Sequence, residues 1–412
     1  MAGGGLLHSS IKLHAHSSKG KLLTVLSIDG GGIKGVIPAV VLEFLEGELK
    51  KLDGEEARIA DYFDVVAGTS TGGLIATMLA APDANADNPR PKYTTQDIKK
   101  LYIERGAKIF PPGTPNPTFG PKYDGKFLKE TLVTELGSTR LVQALTNLVI
   151  PTFDILRLTP TIFSKYKAEQ DEFKYLNGLL SDISIATSAA PTFLPAHYFT
   201  SENGDTEFNM IDGGAAAANP VMVSLSELGQ EKMKHPELYP MMDRADDCSN
   251  ILLLSLGCGV QPPAAAPGWT IDTVNRWMQP QWLADPPQQP TRLPFLEILG
   301  AGSSNTVDYY AYSIFKARNA ENNYLRVQTD ALTPAMDKMD NATEENLNNL
   351  MNCANEMIQG KVNRLNPVTF QLEPVDDGIT YQQELKRFAK ILSDERKSRL
   401  ANLGSKNHHH HC

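Results

Sequence analysis

Cysteine is scarce in this chain. There are four, Cys248, Cys258, Cys353 and Cys412, and the last follows the His408–His411 run of a tag-like tail. Three scattered thiols make no disulfide framework and point to a reducing compartment. Positive charge is not in excess either: 39 Lys and Arg stand against 48 Asp and Glu, a formal net charge of −9. That balance lacks the basic stripe of a nucleic-acid binder, so no nucleic-acid partner is expected. No stretch reaches the ~18 apolar residues that cross a bilayer, so any membrane contact is made at the surface. Outside the first 20 residues and the tail, histidine is reduced to His197 and His235. No CxxC or His/Cys cluster is present, so no metal and no cofactor is expected. Residues 1–20 carry no apolar signal segment and read as a disordered leader, which predicts a cytoplasmic protein.

What the chain has is core-forming residues and glycine turns. Of its 412 residues, 41 % are hydrophobic and 21 % charged, enough for a sizeable core. Leu22–Ile28 predicts a strand, followed by Asp29-Gly30-Gly31-Gly32-Ile33-Lys34-Gly35 and a helix over Ala39–Lys51 with Pro38 in its first turn. A strand over Asp61–Ala67 and a helix over Gly72–Ala80 repeat the pattern around Gly68-Thr69-Ser70-Thr71-Gly72. Alternation of strand, glycine turn and helix predicts a mainly parallel sheet covered on both faces. Further strands are expected at Leu148–Asp154, Leu156–Phe163, Phe208–Ile211 and Ile251–Leu256, the last as a buried central strand. Helices are expected at Asp182–Ala190, Leu332–Gly360 and Tyr381–Leu400. The loops Pro82–Pro91 and Phe110–Pro121 fit either lids or plain connections. Trp269–Pro294, with Trp277 and Trp282, fits a lipid-facing segment or, by preference, core cover. No repeat or linker is visible, so residues 21–400 read as one catalytic domain and 401–412 as a tail.

Gly68-Thr69-Ser70-Thr71-Gly72 matches GxSxG, a sharp strand-to-helix turn that exposes a serine hydroxyl. The same residues would also suit a tight turn with an incidental serine. Gly30-Gly31-Gly32-Ile33-Lys34-Gly35 matches GxGxxG, and bare amides after a strand can hold a phosphate or an oxyanion. A dinucleotide site would need an acidic residue at the end of a second strand; Glu48 and Asp53 fall within or just after the helix instead. An oxyanion hole accounts for both turns, whereas a nucleotide site accounts for one. Asp212 ends an apolar strand before Gly213 and Gly214, where catalytic groups collect in open α/β sheets. It can serve as general base, although Asp-Gly is also a common turn. A Ser-His-Asp triad on His235 or His197 is the alternative, but His235 sits in a charged stretch. A carboxylate base predicts a pH profile unlike that of a histidine near ~6.5.

Five stretches together resemble the patatin-like phospholipases. They are Ser27–Gly35, Gly68–Gly73, Ala186-Thr187-Ser188-Ala189-Ala190-Pro191-Thr192-Phe193, Asp212-Gly213-Gly214 and Leu254-Ser255-Leu256-Gly257, and the likeness covers about Lys21 to Leu400. The resemblance implies a three-layer α/β/α fold and a Ser–Asp dyad of Ser70 and Asp212, working without histidine or metal. It places an oxyanion hole at Gly30, Gly31, Gly32 and Ile33, with Lys34, Gly35, Gly68, Gly72, Gly213 and Gly214 as supporting positions. It implies non-specific hydrolysis of fatty-acyl esters of membrane phospholipids and galactolipids, in lipid turnover or plant defence, by a cytoplasmic protein in transient contact with membranes. A storage protein with an incidental site is a second reading. Two departures stand out: Ala218 replaces the first asparagine of the family's Asn-Asn-Pro, and Cys258 replaces a usual threonine.

Overall fold

The computed structural model describes residues 20–83, 89–262, 269–283, 293–375 and 378–407. The expected leader, the tail's histidine run and parts of the Pro82–Pro91 and Trp269–Pro294 stretches lie outside them. The sheet is built from β1 (Leu23–Ile28), β2 (Val65–Gly68), β3 (Asn147–Asp154), β4 (Thr159–Ser164), β5 (His197–Thr200), β6 (Glu207–Ile211), β7 (Ile251–Leu256) and β8 (Tyr324–Val327). Their order is β5-β6-β3-β2-β1-β7-β8, with β4 also on β3. The pairs from β3 through β2, β1 and β7 to β8 are parallel; β4, β5 and β6 join antiparallel.

Period-two alternation sorts the strand residues onto two cores. Leu26, Ile28, Val66, Leu252, Leu254 and Val327 face one side. There they meet α1 (Val36–Asp53), α2 (Thr71–Ala80) and the later helices Glu344–Gln359 and Tyr381–Asn407. Leu23, Val25, Val65, Ala67, Leu253 and Tyr324 face the other side, where Val221 and Leu228 of Val221–Lys234 and Ala311 and Phe315 of Pro294–Ala317 cover them. This is the three-layer α/β/α arrangement. β1 and β7 are buried along their whole length, as apolar runs in a parallel sheet must be.

The chain runs outward from β1 to β2 and β3, then returns to the other side of β1 at β7. Loops leaving β1, β2 and β7 therefore meet at the carboxyl ends of the strands, where open α/β sheets hold their sites. Some expectations need correction. The helix expected over Leu332–Gly360 is only Glu344–Gln359, because the segment before it lies over the glycine turn: Ile33 N–H donates to Met339 O at 2.7 Å. The strand expected from Asp61 begins at Val65, after a 3-10 turn over Ile59–Asp61. The one expected from Leu156 begins at Thr159, after a turn. Among the described residues, Trp277 and Trp282 are half-buried and do not join the side chains packed on either core. They stack edge-to-face on each other, with centroids 5.2 Å apart, and Trp277 does so on Trp269 at 5.4 Å.

Candidate active site

Ser70 stands between β2 and α2 with φ 54° and ψ −124°, a backbone that a side chain rarely adopts. The turn is sharp enough that flanking side chains would collide. A Cβ on Gly68 would lie 2.1 Å from Gly72 O, and one on Gly72 would lie 2.2 Å from Ile28 O. The strain is held by hydrogen bonds. Thr69 Oγ1 donates to Ala217 O at 2.7 Å, and Ser70 N–H donates to Thr187 Oγ1 at 2.9 Å. Thr187 in turn donates to Pro151 O at 2.7 Å. Thr71 Oγ1 and the buried Tyr102 hydroxyl share a short hydrogen bond beside Gly35.

The Ser70 hydroxyl donates to Asp212 Oδ2 at 2.6 Å across 142 residues of sequence. Asp212 follows β6, and its loop is tied down by Asp212 N–H to Ala189 O and Gly213 N–H to Thr187 O, both 3.0 Å. Gly214 N–H donates to the second carboxylate oxygen, Oδ1, at 2.6 Å. That leaves Oδ2 to the serine. Burial pushes the Asp212 carboxyl up to about 6, outweighing the Ser70 and Gly214 hydrogen bonds that favour its charged form.

The glycine turn lies against both. A Cβ on Gly30 would sit 3.1 Å from Ser70 Cβ, and Gly32 takes φ 59° beneath Met339 O. The four amides named from the resemblance differ in what they do. Gly30 N–H donates to Ala218 O at 3.0 Å and Ile33 N–H to Met339 O. Gly31 and Gly32 N–H have no acceptor among the described residues. Lys34 is buried and pairs with Asp337 at 2.7 Å, anchoring the overlying 329–342 segment.

The histidines are engaged elsewhere. His197 Nε2 bonds Asp182 at 2.8 Å, and His235 lies at the surface beside Glu231 and Glu237. Among the described residues, no group of three or more His, Cys, Asp or Glu could hold a metal ion. The two departures are absorbed locally. Position 218 contributes only its carbonyl, while the retained Asn219 donates to Asp308 at 2.8 Å. Cys258 is buried, its thiol pushed up to about 12 mainly by burial, and Sγ donates to Asp29 O at 3.4 Å. Sequence alone gives no role to Thr187 or Asp337. Thr187 lay within a recognised motif, but its tie to Ser70 spans 117 residues.

A three-layer α/β/α sheet with a strained serine, a buried carboxylate on its hydroxyl and glycine amides without acceptors alongside defines a class of serine-bearing α/β proteins whose site has the chemistry that acyl transfer requires. The comparisons narrow the class. The sequence model of the family described as "Patatin-like phospholipase" matches residues 26–225. "Patatin-like protein 2" of Oryza sativa subsp. indica is 43 % identical over 92 % of this chain and 95 % of its own length. "Patatin-like protein 1" of Arabidopsis thaliana is 42 % identical over 95 % and 94 %, and "Patatin group D-2" of Solanum tuberosum 41 % over 92 % of each. The chain belongs to the patatin-like phospholipase family, a family of hydrolases acting on lipid esters.

Proposed function

We propose that the protein is a lipid acyl hydrolase that cleaves fatty-acyl esters of phospholipids and galactolipids through a Ser70–Asp212 dyad. The observation that carries this reading is the 2.6 Å bond from the Ser70 hydroxyl to a buried carboxylate raised to about 6. Such a base is charged at neutral pH yet basic enough to take a proton. Ser70 Oγ attacks the ester carbonyl carbon as its proton passes to Asp212 Oδ2. The oxyanion is met by Gly31 and Gly32 N–H, while Gly30 and Ile33 shape the turn through their own bonds. Collapse breaks the ester C–O bond, and the departing alkoxide takes the proton from Asp212. Water, deprotonated by Asp212, then releases the fatty acid from Ser70. No step calls on a metal.

Burial changes the expected pH signature. A carboxylate raised to about 6 falls in the histidine range, so the position of the acid limb does not separate the two. Activity should rise with pH through about 6, because only the ionised carboxylate accepts the proton. The limb should barely move with temperature, as carboxylate ionisation has little enthalpy, whereas an imidazole limb moves down on warming. His197→Ala and His235→Ala should each keep activity within about threefold. A temperature-dependent limb together with an inactive, folded histidine variant would restore the triad reading.

Lipid must be reached from water. Among the described residues no helix is long and apolar enough to cross a membrane. Yet Ile271, Met278 and Leu283 are 77, 66 and 64 % exposed beside the tryptophan stack. The following helix Pro294–Ala317 also exposes Phe295, Leu296, Ile298 and Leu299, and it passes beside the short helix Gly214–Ala217 that follows the base. This apolar surface suits insertion at a lipid interface. Changing Ile271, Met278 and Leu283 together to Asp should lower hydrolysis of phospholipid vesicles roughly tenfold or more. Hydrolysis of soluble p-nitrophenyl butyrate should stay within about twofold. Equal losses on both substrates would remove the interfacial role.

The functional reading is tested by incubating the protein, in excess EDTA, with phospholipids, galactolipids and short-chain esters. Free fatty acid should appear from both lipid classes. Cleavage of short soluble esters alone would overturn the lipolytic assignment.

A further inference from the structure

Directly beneath the site, the face of the sheet that carries Leu23, Val25, Leu253 and Tyr324 turns polar. Ser27, Ser255 and Arg326 stand side by side there, because Ser27 pairs with Ser255 and Ser255 with Arg326 in the parallel register. Arg326 is buried, and each of its side-chain nitrogens donates a hydrogen bond. Nη1 and Nη2 donate to the two oxygens of Asp29 at 3.0 and 2.6 Å, Nη1 also to Ser255 at 2.9 Å, and Nε to Asp308 at 3.1 Å. Such a planar, two-sided grip is something guanidinium provides and an ammonium does not.

Both carboxylates lead to the site. Asp29 is the residue from which the Gly30-Gly31-Gly32 turn departs. Asp308 accepts from Asn219, and the residue before Asn219 accepts the Gly30 N–H through Ala218 O. The ring from Asp29 through Arg326, Asp308, Asn219 and Ala218 back to Gly30 therefore joins the oxyanion turn to the loop that carries Asp212. Core packing alone would not require it, since a charge placed here must be paired to be tolerated and an apolar side chain would not.

We propose that Arg326 is a positioning residue for hydrolysis: it sets the Gly31 and Gly32 amides against the Ser70–Asp212 pair without touching substrate. The inference rests on the Ser–Asp reading above. A displaced oxyanion donor loses its grip mainly on the tetrahedral state, so the loss falls on turnover and not on substrate binding.

The test uses Arg326→Lys, which keeps the charge, and Asp29→Asn, which leaves Arg326 paired with Asp308. Each is measured on p-nitrophenyl butyrate beside the parent and Ser70→Ala, with active sites counted by stoichiometric phosphonate titration and folding followed by thermal unfolding. We expect kcat per titrated site to fall about 10- to 100-fold in both variants, with KM within about threefold. A purely structural role would lower the melting temperature and the titratable fraction but leave kcat per site at the parental value; that result, in either folded variant, overturns the inference. Should Arg326→Lys not fold, Asp29→Asn decides. Activity surviving in Ser70→Ala would instead overturn the underlying dyad, so the two failures are told apart.

Discussion

Ser70→Ala is expected to bring ester hydrolysis down to background, a loss on the order of 10⁴-fold or more, while the protein stays folded. In the proposed mechanism, removing Oγ deletes the atom that forms the acyl-enzyme, and the neighbouring hydroxyls do not replace it. Thr69 Oγ1 is committed to Ala217 O, Thr71 Oγ1 to Tyr102, and Thr187 Oγ1 to Pro151 O. The fold should not suffer, since the strained φ of 54° is enforced by Gly68, Gly72 and the backbone bonds around them. Alanine tolerates that backbone no worse than serine does. Circular dichroism, thermal unfolding and hydrolysis of p-nitrophenyl butyrate check it. Parental activity in a folded Ser70→Ala variant would remove the nucleophile assignment.

Asp212→Asn should be similarly inactive, and it should also be the more stable protein. Asparagine can keep the Gly214 N–H contact through its oxygen and meet Ser70 Oγ through its amide, but it cannot take the serine's proton. The stability argument follows from the raised carboxyl. Its value of about 6 in the folded state lies above the ordinary ~3.9 of an unfolded aspartate, so the folded protein binds the proton more tightly. Stability conferred by the protonated group is present at low pH and is lost as pH rises through about 6. At pH 8 the parent therefore carries a charged carboxylate in a buried place, at a cost on the order of a few kcal/mol that asparagine avoids. Asp212→Asn should melt higher than the parent at pH 8, and the difference should shrink toward pH 5. An inactive variant that melts lower at both pH values would mean that Asp212 holds the fold together instead of being held by it.

Much of this was readable from the sequence because the decisive features are local. Strand-glycine-helix alternation marked β1, β2 and the turns, and Asp212 announced itself by ending a strand before two glycines. What pairs across the fold was not readable. The bond from Ser70 N–H to Thr187, and the grip of Arg326 on Asp29, depend on registers between strands distant in sequence. Leu332–Ala342 has helical composition but serves as the cover of the glycine turn, where Met339 O and the Lys34–Asp337 pair override local preference. The tryptophan stretch misled for the same reason. Aromatic residues usually pack inside, and only the fold shows that Trp277 and Trp282 find each other, while Ile271 and Leu283 stay exposed.

The central claim is that Ser70 is activated by Asp212 and by no histidine. It is met most directly by trapping the nucleophile with a long-chain fluorophosphonate and locating the adduct by peptide mass spectrometry. The account predicts one adduct, on Ser70. It predicts unchanged trapping rates in His197→Ala and His235→Ala, and trapping slowed by on the order of 10³-fold or more in Asp212→Asn. An adduct on another residue, or Ser70 trapping that survives in Asp212→Asn and disappears in a histidine variant, would contradict it.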